Sequence, residues 1–216
     1  MFGFFSRRSE PAPIETERSY LRFPERSDFA MWRDLRFASR TFLEPWEPSW
    51  RVDELSRVSF IARISRYERD YADGATVPYF LFRKSDDQIL GGLTIGYIRR
   101  GAAQSCMIGY WMGETHAGQG YMKEAMAAIV PHIFQRMALH RIEAACIPDN
   151  TRSIHLLEKA GFHREGYLRG YLQINGTWRD HLLFARLKED RAEDILSRDA
   201  ERAALRADRE DGIEAR

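Results

Sequence analysis

Apolar residues recur along this chain at two spacings, and the changes between them delimit its elements. Met122, Met126, Ile129 and Ile133 repeat at helical spacing and predict a long helix over residues 119–137, with Pro131 kinking it or marking its last turns. Phe29, Trp32, Leu35 and Phe37 form a looser stripe over residues 28–39. Leu55, Val58, Ile61 or Ala62, and Ile64 place another helix over 52–71, ended by Gly74. A fourth helix runs over 150–160, with Gly161 as its stop. Shorter runs rich in aromatic and β-branched residues predict strands at 19–23, 77–83, 88–98, 106–112 and 141–147. The final pair, 167–174 and 178–186, flanks Asn175-Gly176, a strong hairpin signal. Hairpin-length loops join the strands from 77 to 112, so they read as an antiparallel meander. After residue 112 the order becomes helix, strand, helix, strand. Gly91 and Gly92 inside a strand point to a bulge or a close approach of another chain segment. Phe42-Leu43-Glu44-Pro45-Trp46-Glu47-Pro48 carries two prolines that break regular structure.

The whole pattern is that of an α+β protein, with a mixed, mainly antiparallel sheet and helices on both faces. Its 216 residues suit one domain at 17–188, between an N-terminal arm at 1–16 and a charged tail at 189–216. Hydrophobic residues make up 44% of the chain, which is enough for a sizeable core. No apolar run reaches membrane-spanning length, and Met1 to Phe5 precede Arg7 and Arg8, the reverse of a secretory signal. The reading is a cytosolic protein. A balance of 33 basic and 32 acidic residues gives no general footprint for nucleic acid. Cys106 and Cys146 read as small buried hydrophobes, and neither they nor the six histidines have metal-ligand spacing.

Chemistry concentrates at one junction. A strand ending in Tyr110-Trp111-Met112 runs through Gly113-Glu114-Thr115-His116 into Ala117-Gly118-Gln119-Gly120-Tyr121-Met122, where a long helix begins. Unpaired N–H groups and the helix dipole make such a start an anion site, and glycines let a phosphate approach the backbone. A pyrophosphate suits it. A dinucleotide-binding loop would need a third glycine, and Lys123 stands in that place. A second junction, Pro148-Asp149-Asn150-Thr151-Arg152-Ser153, opens the next helix with good capping residues. A third, Ala160-Gly161-Phe162, ends that helix and returns to the core.

Taken in order, these pieces resemble the GNAT acetyltransferases. Phe42 to Pro48, Gly118-Gln119-Gly120-x-Met122, His140-Arg141-Ile142, Glu165-Gly166-Tyr167 and Gly176-x-Trp178-Arg179-Asp180-His181 are similar to the ribosomal-protein-alanine N-acetyltransferases of the RimJ type. The resemblance covers nearly the whole chain except the charged tail. It implies the GNAT, or acyl-CoA N-acyltransferase, fold. It also implies acetyl-CoA as co-substrate, with loop amides on its pyrophosphate and two splayed strands admitting pantetheine. Tyr110, Trp111, Met112, Ala117, Gly118, Gln119, Gly120, Tyr121, Met122, Asn150 and Ser153 are then the cofactor-binding positions. Asn150 matches a pantetheine contact, and Ser153 matches the serine that faces the thiol. Thr115 departs from the Gln or Arg usual at the head of the loop, which removes one long side-chain contact and leaves the amides.

The implied acceptor is the N-terminal amine of a protein with a small first residue, alanine, of the kind found on ribosomal proteins. An α-amine has a pKa of about 8 and needs only a modest base, for which Glu44, Glu47 and Glu114 are candidates. A backbone N–H near Trp111 and Met112 would meet the oxyanion. A small-molecule amine acetyltransferase and a non-catalytic CoA-binding or ribosome-associated assembly protein remain as alternatives. The protein would act as a monomer or homodimer.

The tail interleaves both signs of charge, with Asp194 four residues before Arg198 and Asp199 three before Arg202, and reads as a solvated helix. Its few apolar residues, Ile195, Leu196 and Leu205, cannot build a core. Truncation after residue 190 should therefore leave the melting temperature unchanged; a fall of many degrees would show that the tail packs on the domain.

Overall fold

A computed structural model describes residues 11–190, so the tail read as a helix lies outside the described residues. The framework is an eight-stranded sheet: β1 (Ile14–Glu15), β2 (Ser19–Arg22), β3 (Val77–Arg83), β4 (Ile89–Arg99), β5 (Ser105–Met112), β6 (Arg141–Cys146), β7 (His163–Ile174) and β8 (Thr177–Leu187). Their order is β1-β2-β3-β4-β5-β6-β8-β7. Every neighbouring pair is antiparallel except β5 and β6. The helices are α1 (Phe29–Ala38), α2 (Arg40–Leu43), α3 (Arg57–Ala72), α4 (Tyr121–Pro131) and α5 (Thr151–Lys159).

Two apolar layers sandwich the sheet. In β3, Val77, Tyr79 and Leu81 face the larger core, which contains Met122, Met126, Ile129 and Ile133. Phe80 and Phe82 face the other way and pack with Trp32 of α1 and Phe60 and Ile64 of α3. A strand covered on both faces reads as a continuous apolar run rather than an alternation, as Val77-Pro78-Tyr79-Phe80-Leu81-Phe82 does. Leu157 of α5 joins the larger core.

Several elements differ from expectation, each for a local reason. The helix expected from residue 52 starts at Arg57, because Ser56 accepts from the Ser59 N–H (3.1 Å) and caps it there. Of the expected stripe of that helix Ile64 is buried, but Val58 is 78% exposed and Phe60, outside the stripe, faces the core. In α1, Phe37 is 71% exposed while Arg36 is only 6% exposed. The double-proline segment keeps helical turns, with α2 followed by a 3₁₀ turn at Glu44–Trp46. Pro45 sits in the first turn, where its missing N–H costs nothing. Beyond Pro131, α4 widens into a π-helical turn, His132–Arg136, in which the Met137 N–H bonds the His132 carbonyl. Ile14–Glu15, inside the stretch read as an arm, pairs with β2, and β7 begins at His163 rather than Tyr167.

Both readings of Gly91-Gly92 hold. The β3–β4 register shifts beside them, and a Cβ on Gly92 would lie 2.6 Å from the Trp111 Nε1. The missing side chain is the space the indole occupies. The Asn175-Gly176 turn closes β7 onto β8 with both φ angles positive, 43° and 79°. Among the described residues no helix is long and apolar enough to cross a membrane.

Candidate active site

The site begins where the sheet parts. β5 and β6 pair at three rungs, Ser105 with Arg141, Cys106 with Ile142 and Met107 with Glu143. Beyond Met107, β5 stays with β4 as far as Met112, and β6 stays with β8 as far as Cys146. The two strands therefore diverge, and their facing backbone edges are left open to a third, extended chain.

The glycine-bearing loop stands at the end of β5. The Gly113 N–H bonds the Leu90 carbonyl (2.8 Å), and the Glu114 N–H bonds the Ser39 hydroxyl (2.9 Å). A 3₁₀ turn, Glu114–His116, follows, and Gly120 precedes α4 with φ 88°, a left-handed conformation that favours glycine. Among the described residues the N–H groups of Gly118, Gln119 and Gly120 take no partner. A Cβ on Gly118 would meet nothing within 4 Å. The loop thus offers bare amides at a helix start, with room for a phosphate. The Gln119 side chain turns inward and donates to the Thr115 carbonyl (2.7 Å), so Thr115 contributes its backbone to the loop.

On the other bank, Asn150 caps α5 by accepting from the Ser153 N–H (3.1 Å). Ser153 Oγ lies 2.6 Å from the Tyr110 hydroxyl, so the pair bridges β5 and α5 at the parted strands. Burial pushes the Tyr110 hydroxyl far above the ordinary tyrosine value, and it stays protonated at any working pH. If Tyr110 donates to Ser153, the serine proton is free for an incoming group. Cys146, at the end of β6, is pushed up to about 11 by burial.

Alternation along β5 sends Tyr110 toward the larger core and Trp111 toward the α1 and α3 side. There Trp111 meets a cluster that was not visible in the sequence. Arg36 lies 4.3 Å from the centroid of one Trp50 ring and 4.9 Å from that of Trp111. Its guanidinium grips both oxygens of Glu47 (2.7 and 2.5 Å), and the Trp50 Nε1 donates to the same carboxylate (2.9 Å). Glu47, one of the candidate bases, thus has both oxygens engaged. Glu44 pairs with Arg40. The Glu114 side chain is exposed and has no ion pair among the described residues. Arg36 falls on the buried face of α1, four residues after Trp32. A charge on an apolar stripe was the available signal.

Arg18 was also missed. Its Nη2 donates to the Gln119 carbonyl (2.8 Å), its Nε bonds Glu124 of α4 (2.7 Å), and its guanidinium covers the Tyr121 ring (4.3 Å). A residue more than a hundred positions away therefore steadies the start of α4. Nothing local in the sequence joins them.

Residues 18–163 match the model of the GNAT acetyltransferase domain family. The chain belongs to this family and is an acetyltransferase. Its relatives include the [ribosomal protein uS5]-alanine N-acetyltransferase of Escherichia coli (strain K12), 32% identical over 86% of this chain and 95% of the relative. A probable N-acetyltransferase of Bacillus subtilis (strain 168), YjcK, is 36% identical over 79% of this chain and 94% of its own length. Among solved structures, Mycobacterium smegmatis RimJ in complex with CoA-disulfide superposes with a TM-score of 0.78 at 34% identity, covering 89% of this chain and 93% of that one.

Replacing Gly120 by Glu would put a side chain on a left-handed residue whose Cβ lies 3.1 Å from the Arg18 Nη2. The backbone strain costs about 1–2 kcal/mol, and the carboxylate repels a phosphate. Calorimetry on the folded variant should show acetyl-CoA affinity lost by more than tenfold (about 1.4 kcal/mol). Wild-type affinity would remove the loop from cofactor binding.

Proposed function

We propose that this protein transfers the acetyl group of acetyl-CoA to the N-terminal amine of a protein, a ribosomal protein beginning with alanine. The observation that carries the reading is the parting of β5 and β6, with the open-amide loop at its mouth and the Tyr110–Ser153 pair across it. The E. coli relative that acts on the alanine of uS5 supports the alanine. A more distant one, 28% identical, is a ribosomal-protein-serine acetyltransferase, so the class of acceptor has broader support than its first residue.

The amides of Gly118, Gln119 and Gly120 would take the pyrophosphate, and the parted edges of β5 and β6 would take pantetheine. The neutral amine nitrogen attacks the thioester carbon, and the carbonyl electrons move onto oxygen. A backbone N–H near Trp111 and Met112 stabilises that oxyanion. As the carbon–oxygen double bond reforms, the carbon–sulfur bond breaks and the thiolate takes the Ser153 proton. Tyr110 holds the serine oxygen throughout. The proton lost by the amine passes to Glu114 or water and returns through solvent to the serine, so no charge is left behind. Glu114 is the best acceptor of the three candidate acids, because Glu47 is tied to Arg36 and Trp50 and Glu44 to Arg40. The enzyme works in the cytosol, where ribosomal proteins are made.

Ser153→Ala should lower kcat by about 10²-fold or more with little change in acetyl-CoA affinity, since the interaction strengthens as charge builds on sulfur. Unchanged turnover would take Ser153 out of the mechanism.

The acceptor is tested by offering labelled acetyl-CoA with an Ala-starting peptide, a Ser-starting peptide, the same peptides blocked at the N-terminus, and polyamines. Label should enter the free Ala peptide first. Equal labelling of blocked peptides would indicate lysine as acceptor, and labelling of polyamines alone would indicate a small-molecule enzyme.

A further inference from the structure

The segment from Ser39 to Trp50 touches three parts of the chain around the mouth of the parted strands. Ser39 holds the Glu114 N–H at the end of β5 (2.9 Å). The Phe42 ring lies 5.0 Å from the Arg152 guanidinium at the start of α5. The Glu47 carbonyl accepts from the Asn175 N–H at the tip of the β7–β8 hairpin (2.9 Å). The segment and the hairpin tip together make an arch over the side of the sheet toward which Trp111 points. Glu47 is the joint of this arch, with its carbonyl fixed to the hairpin and its carboxylate to Arg36.

Arg36 is more than a surface partner in this contact. It is 94% buried by its neighbours, being only 6% exposed, and among the described residues its Nε has no hydrogen-bond partner. A buried cation with an orphan donor is costly, and shorter contacts could have tied the loop to α1 without it. What Arg36 supplies is direction. A planar guanidinium held against two indoles fixes the carboxylate it grips in one orientation, which a lysine ammonium would not. One of those indoles belongs to Trp111, whose backbone lies in the stretch proposed above to meet the oxyanion.

We propose that Arg36 is a positioning residue for acetyl transfer: lodged against Trp50 and Trp111, it holds Glu47 and so sets the arch that receives the acceptor chain. This rests on the acetyltransfer reading above. Arg36 is assigned no contact with either substrate. It acts through Glu47 on the acceptor side and leaves the loop at Gly118–Gly120 alone.

The test uses the full chain carrying Arg36→Gln, Arg36→Lys and the double change Arg36→Gln/Glu47→Gln. The double variant leaves no buried unpaired charge, so it stays informative if the single variants do not fold. Two readings are taken on each. Acetyl-CoA affinity by calorimetry should match wild type, while kcat/KM for the Ala-starting peptide falls about 10²-fold, the usual result of misplacing a reactant by an ångström. Lysine should not rescue it. Amide exchange should quicken at residues 44–50 and, through the Glu47 carbonyl, at 175–176. Acetyl-CoA affinity falling in step with peptide turnover would mean general damage and overturn the proposal. So would unchanged kcat/KM, or exchange unchanged at 175–176. A wild-type protein that acetylates no amine would remove both this proposal and the function it rests on. Wild-type activity that the variants match would remove Arg36 alone.

Discussion

Adjacent strands in a sheet satisfy each other's backbone, so two that part must be held open by something else. β5 and β6 share three rungs and then diverge, because each has a firmer partner on its far side. β5 follows β4 to Met112, and the Gly113 N–H extends that ladder to Leu90. β6 follows β8 to Cys146. The two outer ladders pull the strands apart, and α4 and α5 cover the divergence with their N-terminal ends. The rest of the site follows from that geometry. The glycine loop leaves one strand, the capped helix leaves the other, and Tyr110 reaches Ser153 across the gap.

The side that we propose receives the acceptor is built differently. It relies on a buried ion pair between two aromatic rings rather than on backbone geometry. Removing one partner of such a pair costs about 3–5 kcal/mol, while replacing both is often nearly neutral. The pair is therefore a weak source of stability and a strong source of orientation. Gly92 belongs to the same arrangement, because its missing side chain leaves the Trp111 indole room beside β4.

What could be read from the sequence divides along a physical line. Local chemistry was legible. The strand–glycine–helix junction, the Asn150 cap, the Asn175-Gly176 turn and the apolar repeat of α4 all appear where their residues predicted. The parting of two strands was legible only through resemblance, since no local signal specifies which strands part, and their parallel pairing was not read at all. Arg36, Arg18 and Trp50 were missed because their partners are remote or turned by tertiary packing. Arg18 and Glu124 meet across 106 positions, which no periodicity reports. The misplaced start of α3 had a different cause: Leu55 fits the apolar spacing, but Ser56 caps the helix behind it. Apolar spacing alone could not locate that boundary.

The two outer strands bear on how the protein meets other chains. β1 has only two residues, and β7, though twelve long, slips register against β8 at Arg164/Gly166 and again at Leu168/Leu172. Arg164 and Arg169 stand exposed along it. A short edge, or a bent and charged one, is a poor template for an added strand. On the function proposed here, the natural company of this protein is newly made, extended polypeptide, the material most able to zip onto an open sheet. The borders of the described sheet turn such chains away, and the gap between β5 and β6 lies in its interior, where entry is governed by the loop and the arch.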